Sequence, residues 1–465
     1  MVRAMTTTPL PAAAGLVPGA RDLWFLPLGG CGEIGMNMNL YGHDGRWLLV
    51  DCGITFERQG EGRPQIQMPD PRFIVEQRTA LSGLLITHAH EDHVGAVAHL
   101  WPQLRCPVYT TAFTAAILQR KLTEVGLAGR VPVHIVEPGT RQQLDGFDIE
   151  WLEVTHSTPE SQALVIRTSA GSLFHTGDWK LDPDPVVGTG YAERQLRDVG
   201  AEQMLAMVCD STNADVPGRS VSEGVLFAGM EQLVAEATGR VIVACFGSNI
   251  ARMRTITQVA RATGRYVALL GRSLHNYVSA ARTAGIWTDS DGLIEPAHIG
   301  YLPREEVLAV ATGSQGEPGA ALHRLAMNNH PNLELIAGDL LLLSSRVIPG
   351  NEAAVERLIR QLERQGVRVV QDESLNAPIH ASGHPAQEEL RDMYRWIDPG
   401  IAIPVHGEPQ HLQAHAELAA ELGIRSQLVG RNGDLFMLAP QRGIRRGAAP
   451  VGRLALDNGQ VIPLG

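Results

Sequence analysis

The segment Leu81-Ser82-Gly83-Leu84-Leu85-Ile86-Thr87-His88-Ala89-His90-Glu91-Asp92-His93 decides the reading of this chain. Its first half is an apolar run of strand length. Its second half places three imidazoles and two carboxylates within six residues. A closed apolar core excludes such a cluster, because each buried ionisable group needs a partner. Histidines at i and i+2 project to one side of an extended segment. Asp92 and His93 then turn toward a second centre. Imidazole with carboxylate suits zinc, with manganese as the more oxygen-rich alternative.

Further candidate ligands stand at the ends of other apolar runs. His156 follows Trp151-Leu152-Glu153-Val154-Thr155. Asp178 follows Leu173-Phe174-His175-Thr176-Gly177, and His406 follows Ile401-Ala402-Ile403-Pro404-Val405. Together with the cluster they supply the donors that a pair of metals requires, with Asp178 as the natural bridging carboxylate. Two metals about 3.5–4 Å apart activate a water and clamp an in-line displacement, the usual device for cleaving phosphodiesters.

Around this site the chain changes texture. Residues 1–22 read as a flexible tail. Leu23 to Leu28, Met36 to Tyr41 and Trp47 to Val50 are short apolar runs separated by Gly-rich and His-Asp-Gly turns, which suits consecutive strands. After about residue 206, strand-like runs alternate with helix-like ones: 240–245 with 250–262, 266–270 with 273–283, 307–311 with 316–327, and 340–344 with 352–365. That alternation implies βαβ units and a parallel sheet. Ligands bind such sheets beyond the carboxyl ends of their strands. The expected layout is 23–206 and 366–440 as two parts of one catalytic domain, 207–365 as an inserted α/β domain, and 441–465 as terminal strands with no separate C-terminal domain.

The chain has 465 residues, which at roughly 150 residues per domain implies two or three domains. Its net charge of −11 argues against coating nucleic acid by bulk charge, though not against a local basic groove. Aromatics at 5% advertise no multi-base stacking platform. Cys31, Cys52, Cys106, Cys209 and Cys245 form no CxxC pair, so a reducing cytoplasm is expected. No apolar stretch approaches the length of a membrane span.

The ordered motifs resemble the ribonuclease J family. Carrying segments are Pro27-Leu28-Gly29-Gly30-Cys31-Gly32-Glu33-Ile34-Gly35-Met36-Asn37, Asp51-Cys52-Gly53, His88 to His93, Thr155 to Ser161 and Thr176-Gly177-Asp178-Trp179-Lys180. Further along are Asp210-Ser211-Thr212-Asn213, residues 312–318 and 348–352, His380-Ala381-Ser382-Gly383-His384, and Pro404 to Glu408. The resemblance implies an α/β fold: a metallo-β-lactamase αββα sandwich with an inserted β-CASP domain, its parallel sheet flanked by helices. It implies two Zn2+ per chain, one held by His88, His90 and His156, the other by Asp92, His93 and His406, with Asp178 bridging. Asp51 would orient ligating histidines. Asp92, Asp178, Asp210 and His384 would be catalytic, His384 protonating the leaving oxygen or stabilising the scissile phosphate. His380 and Ser382 would form a 5′-monophosphate pocket. Ser248, Arg272 and Ser314, with Gln315 and Gly316, are candidate substrate contacts in loops of the insert.

The activity so implied is zinc-dependent hydrolysis of single-stranded RNA, 5′-to-3′ from monophosphate ends and also internally, in RNA decay and maturation. Homodimeric or homotetrameric assembly and contact with other RNA-decay proteins follow from the same resemblance. Three rivals remain open from the residues themselves: a small-molecule hydrolase of the same fold, a DNA-processing nuclease of the same subgroup, and a non-catalytic RNA-binding partner subunit.

Overall fold

The computed structural model describes residues 15–57, 65–288, 293–348, 350–372 and 377–464. Two mixed sheets face each other. The first has eight strands, in the spatial order Gly443–Arg445, Leu435–Ala439, Leu23–Gly29, Met38–His43, Arg46–Val50, Leu81–Leu85, Val108–Thr110 and Val133–Ile135. The second has six: Ala402–Val405, Ala206–Asp210, Gly171–His175, Gln162–Thr168, Phe147–Glu153 and Arg141–Leu144. Phe25, Tyr41, Val50, Trp151, Leu164, Val208, Ile403 and Phe436 are buried between them. Helices cover both outer faces. Val97–Leu104 and Ala112–Glu124 bury Val97, Leu100, Phe113 and Leu118 on one side. Gln387–Ile397 and Pro409–Glu421 bury Leu390, Met393 and Leu418 on the other. This is the αββα sandwich.

The insert carries a third, wholly parallel sheet in the order Leu293–Ile294, Tyr266–Leu270, Val307–Ala311, Val241–Ala244, Leu340–Leu343 and Arg368–Gln371. Helices Leu226–Glu236, Ile250–Ala262 and Arg272–Thr283 lie on one face, and Ala321–Ala326 and Glu352–Arg364 on the other. Strands buried on both faces must read as unbroken apolar runs, as Leu340–Leu343 does. A small fourth sheet joins Gln460–Pro463, Arg453–Asp457, Gln65–Pro69 and Thr55–Glu57.

The domain edges differ from the sequence reading at three points. Strand Ala206–Asp210 runs through the expected boundary at 206 and lies wholly in the second sandwich sheet. Strand Arg368–Gln371 lies beyond the expected end of the insert at 365 and completes its sheet. Within the tail expected over residues 1–22, Leu16 is buried in the core and Gly19 O accepts from the backbone of Asp22 and Asp44; residues 1–14 lie outside the described residues. The helix expected from 316 to 327 is confined to Ala321–Ala326, because the chain turns through positive φ at Gly316 and Gly319.

Several contacts among the described residues seat the insert on the sandwich. Helices Ala112–Glu124 and Arg272–Thr283 pack together, with the Phe113 and Tyr277 ring centroids 6.3 Å apart. The Tyr277 hydroxyl donates to the Ala89 carbonyl inside the histidine segment at 3.1 Å. A buried ionic chain runs through the junction. Lys180 pairs with Asp182 at 2.7 Å. Asp182 accepts from the Ser222 hydroxyl and from the Glu223 backbone. Glu223 in turn grips the Arg252 guanidinium at 2.5 and 3.0 Å. Arg252 also donates to the Ser344 carbonyl at 2.8 Å and to its hydroxyl. Both partners of the Glu223–Arg252 pair are buried, so removing one leaves an uncompensated charge in low dielectric. Arg252→Ala should therefore cost about 3–5 kcal/mol of stability in denaturant unfolding; a loss under about 1 kcal/mol would show that the pair is solvated in the folded protein.

Candidate metal centre

Three adjacent parallel strands, Gly171–His175, Ala206–Asp210 and Ala402–Val405, end at one edge of the second sheet. Their ends deliver Asp178, Asp210 and His406. Across the sandwich, strand Leu81–Leu85 ends at the same edge and delivers the histidine segment, with Glu91–Val94 as one turn of helix. The sandwich pins that segment by its backbone. Cys52 N donates to His93 O, Ile54 N to Glu91 O and Asn37 N to Asp92 O. Gly53 lies so close that a Cβ there would stand 1.7 Å from the Asp92 carbonyl oxygen.

The structure gathers His88, His90, His156 and Asp178 into one group, and Asp92, His93, Asp178 and His406 into a second. Within each, one donor atom per residue lies within 4.8 Å of the others. A third group contains Asp178, Asp210, His384 and His406. Asp178 is common to all three.

Hydrogen bonds fix which nitrogen each imidazole turns inward. His156 donates from Nδ1 to the Gly383 carbonyl at 2.6 Å, so its Nε2 is bare. A side chain at 383 would crowd that ring: a Cβ would lie 2.8 Å from His156 Cε1. Thr87 gives its hydroxyl proton to Asp51, at 2.9 Å from Oδ2, and accepts from His88 Nδ1 at 3.0 Å, leaving His88 Nε2 bare. His90 Nε2 lies 3.0 Å from the Ser248 hydroxyl, which turns Nδ1 inward. His90 Nδ1 is then 3.1 Å from His88 Nε2 and 3.0 Å from His156 Nε2. Three converging lone pairs are a poor arrangement for protons and a good one for a divalent cation.

The second group is ordered in the same way. His93 donates from Nδ1 to Asp51 Oδ2 at 2.8 Å and turns Nε2 toward Asp178, 3.2 Å away. His406 donates from Nδ1 to the Thr212 hydroxyl at 2.9 Å and turns Nε2 toward Asp92 at 3.0 Å.

Electrostatics separates the groups. Burial, reinforced by neighbouring imidazoles, pushes the pKa values of His88 and His156 well down, and burial lowers His90 to about 4. These rings are neutral, as ligation requires. Burial also acts against charging His93, His406 and His384, but nearby carboxylates outweigh it and raise all three. Asp92, Asp178 and Asp210 stay ionised: burial opposes this, and the facing imidazoles overcome it.

The other residues singled out from sequence divide by position. Asp51 contacts Thr87 and His93, one step behind the ligand groups. His384 Nδ1 lies 2.7 Å from Asp210 Oδ2. The Ser382 hydroxyl accepts from Asn213 Nδ2 at 2.9 Å. The His380 backbone N–H donates to Asp372. Ser248 reaches His90 from the insert. Arg272 is exposed and Ser314 buried, and among the described residues neither is hydrogen-bonded to the histidine cluster. Gln315 is bonded to the 346–348 loop through Arg346 O and Ile348 N. Lys180 is buried against Asp182 rather than facing the cluster. The sequence reading missed Thr87, Thr212 and Gly383 as the groups that set imidazole tautomers; the first two flank ligands or motif carboxylates, which is the signal that could have found them.

Comparison with known proteins places this geometry. Residues 46–205 match the β-lactamase superfamily domain, and residues 238–362 match the ribonuclease J β-CASP domain. Residues 376–429 match the Zn-dependent metallo-hydrolase RNA specificity domain. The ribonuclease J of Sinorhizobium meliloti is 44% identical over 94% of this chain and 78% of its own. The chain belongs to the ribonuclease J family. The ribonuclease J of Mycolicibacterium smegmatis is 38% identical over 95% of this chain and 79% of its own, and that of Helicobacter pylori strain J99 is 36% identical over 93% and 63%. A solved protein of unknown function from Enterococcus faecalis V583 shares the fold, with a TM-score of 0.61 at 15% identity over 90% of this chain and all of that one. As a member of the ribonuclease J family, the chain is a metal-dependent hydrolase of RNA. No helix among the described residues is long and apolar enough to cross a membrane.

Asp51 supports both ligand groups through Thr87 and His93. Asp51→Asn keeps the shape but offers His93 Nδ1 an amide in place of a carboxylate. The expected result is a roughly 10- to 100-fold loss of metal affinity, measured by competition with a chelating dye. Unchanged affinity would show that the ring orientation is held elsewhere.

Proposed function

We propose that the chain is a dinuclear zinc ribonuclease that removes nucleotides 5′-to-3′ from single-stranded RNA bearing a 5′-monophosphate and also cleaves internally, in the reducing cytoplasm that its five buried, unbridged cysteines suit. The observation that carries the reading is the pair of ligand groups sharing Asp178. His88, His90 and His156 would hold one zinc, Asp92, His93 and His406 the other, and Asp178 both. When bound, such ions supply Lewis acidity and a water made nucleophilic at neutral pH.

The chain's own residues supply the rest. The carboxylate of Asp210 keeps the His384 ring protonated at Nδ1 and raises its basicity, so that Nε2 holds a proton for the departing 3′-oxygen. Asn213 Nδ2 bonds both the Ser382 hydroxyl and the His384 carbonyl, at 2.9 and 3.2 Å. Because Ser382 accepts from Asn213, its own proton is left for a phosphate oxygen. Ser382 lies two residues before His384, which couples recognition of a terminal phosphate to cleavage of the next bond. The full set of ligand residues supports catalysis over a silent partner subunit.

Elemental analysis should find about two zinc ions per chain. His90→Ala and Asp178→Ala should abolish cleavage of labelled RNA in protein whose circular dichroism is unchanged. A metal-free, fully active preparation would overturn the metal assignment, and faster cleavage of single-stranded DNA than of RNA would favour the DNA-processing reading. RNA with a 5′-hydroxyl leaves the pocket's donors unpaired, which costs about 1–3 kcal/mol, or roughly 5- to 150-fold in rate. Monophosphate RNA should therefore be degraded faster than hydroxyl or triphosphate RNA, and Ser382→Ala should shrink that preference. Equal rates on all three ends would leave an endonuclease.

A further inference from the structure

A terminal phosphate monoester is a dianion near neutral pH and calls for a cation as well as hydroxyl donors. His380 is not that cation. Burial, then the Arg252 charge, with smaller pushes from Lys180 and Arg346, lowers its pKa to about 3, so the ring is neutral. The same three basic residues are the positive charges facing this corner. Two are neutralised. Arg252 is locked to Glu223 at 2.5 Å in the buried core, and Lys180 to Asp182 at 2.7 Å. Among the described residues, Arg346 alone of the three has no carboxylate partner.

Arg346 follows the insert strand Leu340–Leu343 at its carboxyl end, the position at which parallel sheets bind ligands. Its side chain is exposed and, among the described residues, makes one hydrogen bond, from Nη1 to Asn213 Oδ1 at 3.0 Å. The other end of that same carboxamide donates to Ser382 Oγ at 2.9 Å. Guanidinium and hydroxyl thus flank a single amide group, close enough for one phosphate to engage both. The backbone that presents Arg346 is fixed by Gln315, which donates from Nε2 to Arg346 O at 2.9 Å and accepts from Ile348 N at 2.8 Å. These bonds make the Ser314-Gln315-Gly316 turn a support of the arginine.

We propose that Arg346 is the cation that selects the 5′-terminal phosphate monoester of the RNA, paired with the Ser382 hydroxyl across Asn213. This deepens the monophosphate reading above and rests on it. Arginine suits the role because its planar fork offers two parallel donors to phosphate oxygens while a third stays on Asn213.

The test compares wild type with Arg346→Gln and Arg346→Lys, as zinc-loaded full chains, on three versions of one single-stranded RNA: 5′-monophosphate, 5′-hydroxyl and covalently circular. A wild type with no preference for the monophosphate end would overturn the monophosphate reading and this assignment with it. With the preference present, Arg346→Gln should lower the ratio of monophosphate to hydroxyl rates about ten- to 150-fold, the span of a charged hydrogen bond. Arg346→Lys should keep part of that ratio. An unchanged ratio in Arg346→Gln overturns the assignment. An equal loss on all three RNAs, the circle included, also overturns it, because the arginine would then act on internal phosphates or only through Asn213. Calorimetric binding of a nucleoside 5′-monophosphate gives a second readout, expected to weaken in Arg346→Gln while binding of the uncharged nucleoside does not change.

Discussion

Asp178 is a fully enclosed carboxylate, and the rest of the site is arranged around keeping it ionised. A lone buried carboxylate takes up a proton to escape desolvation. Here the imidazoles of His406, His93 and His384, which neighbouring carboxylates keep charged, lie within 4.0 Å of its oxygens and overcome the burial. They come from both sheets and from either side of the insert. The sheet register therefore has to be right at several strand ends at once, which explains why Gly53 and Gly383 are so tightly hemmed by backbone and ring.

The insert is more than a cover. Ser248 sets the orientation of His90, Tyr277 holds the carbonyl of Ala89, and Arg252 ties helix Ile250–Ala262 to Glu223 and Ser344. The two domains meet through directional, partly ionic bonds rather than through apolar area alone. Such bonds fix distance and angle, and a reaction that needs donors placed to a few tenths of an ångström depends on that.

The candidate donors and their strand-end positions were legible in the sequence because metal chemistry restricts both residue type and placement. His88 to His93 can be read without any structure. The parallel insert was legible too, since helix Ile250–Ala262 and strand Tyr266–Leu270 keep clean periodicities. What failed had physical causes. Ala206–Asp210 reads as an insert strand because a strand buried on both faces looks the same in either sheet. Arg368–Gln371 is a short edge strand with one buried residue, and Gln65–Pro69 is too polar to announce itself. The contacts of Asn213, Gly383 and Arg346 were invisible. They are hydrogen bonds spanning more than a hundred residues, which no local pattern encodes.

The carbonyl of Gly383 orients His156 from 227 positions downstream. A chain leaving the ribosome has made His88, His90, His156 and Asp178 long before it has made this carbonyl, and His406 comes later still. At a synthesis rate of roughly 5–20 residues per second, the interval from Asp178 to His406 lasts some tens of seconds. During that time the growing polypeptide holds donors without their orienting partners and lacks the last imidazole altogether. Completion of the centre is thus deferred until most of the protein exists.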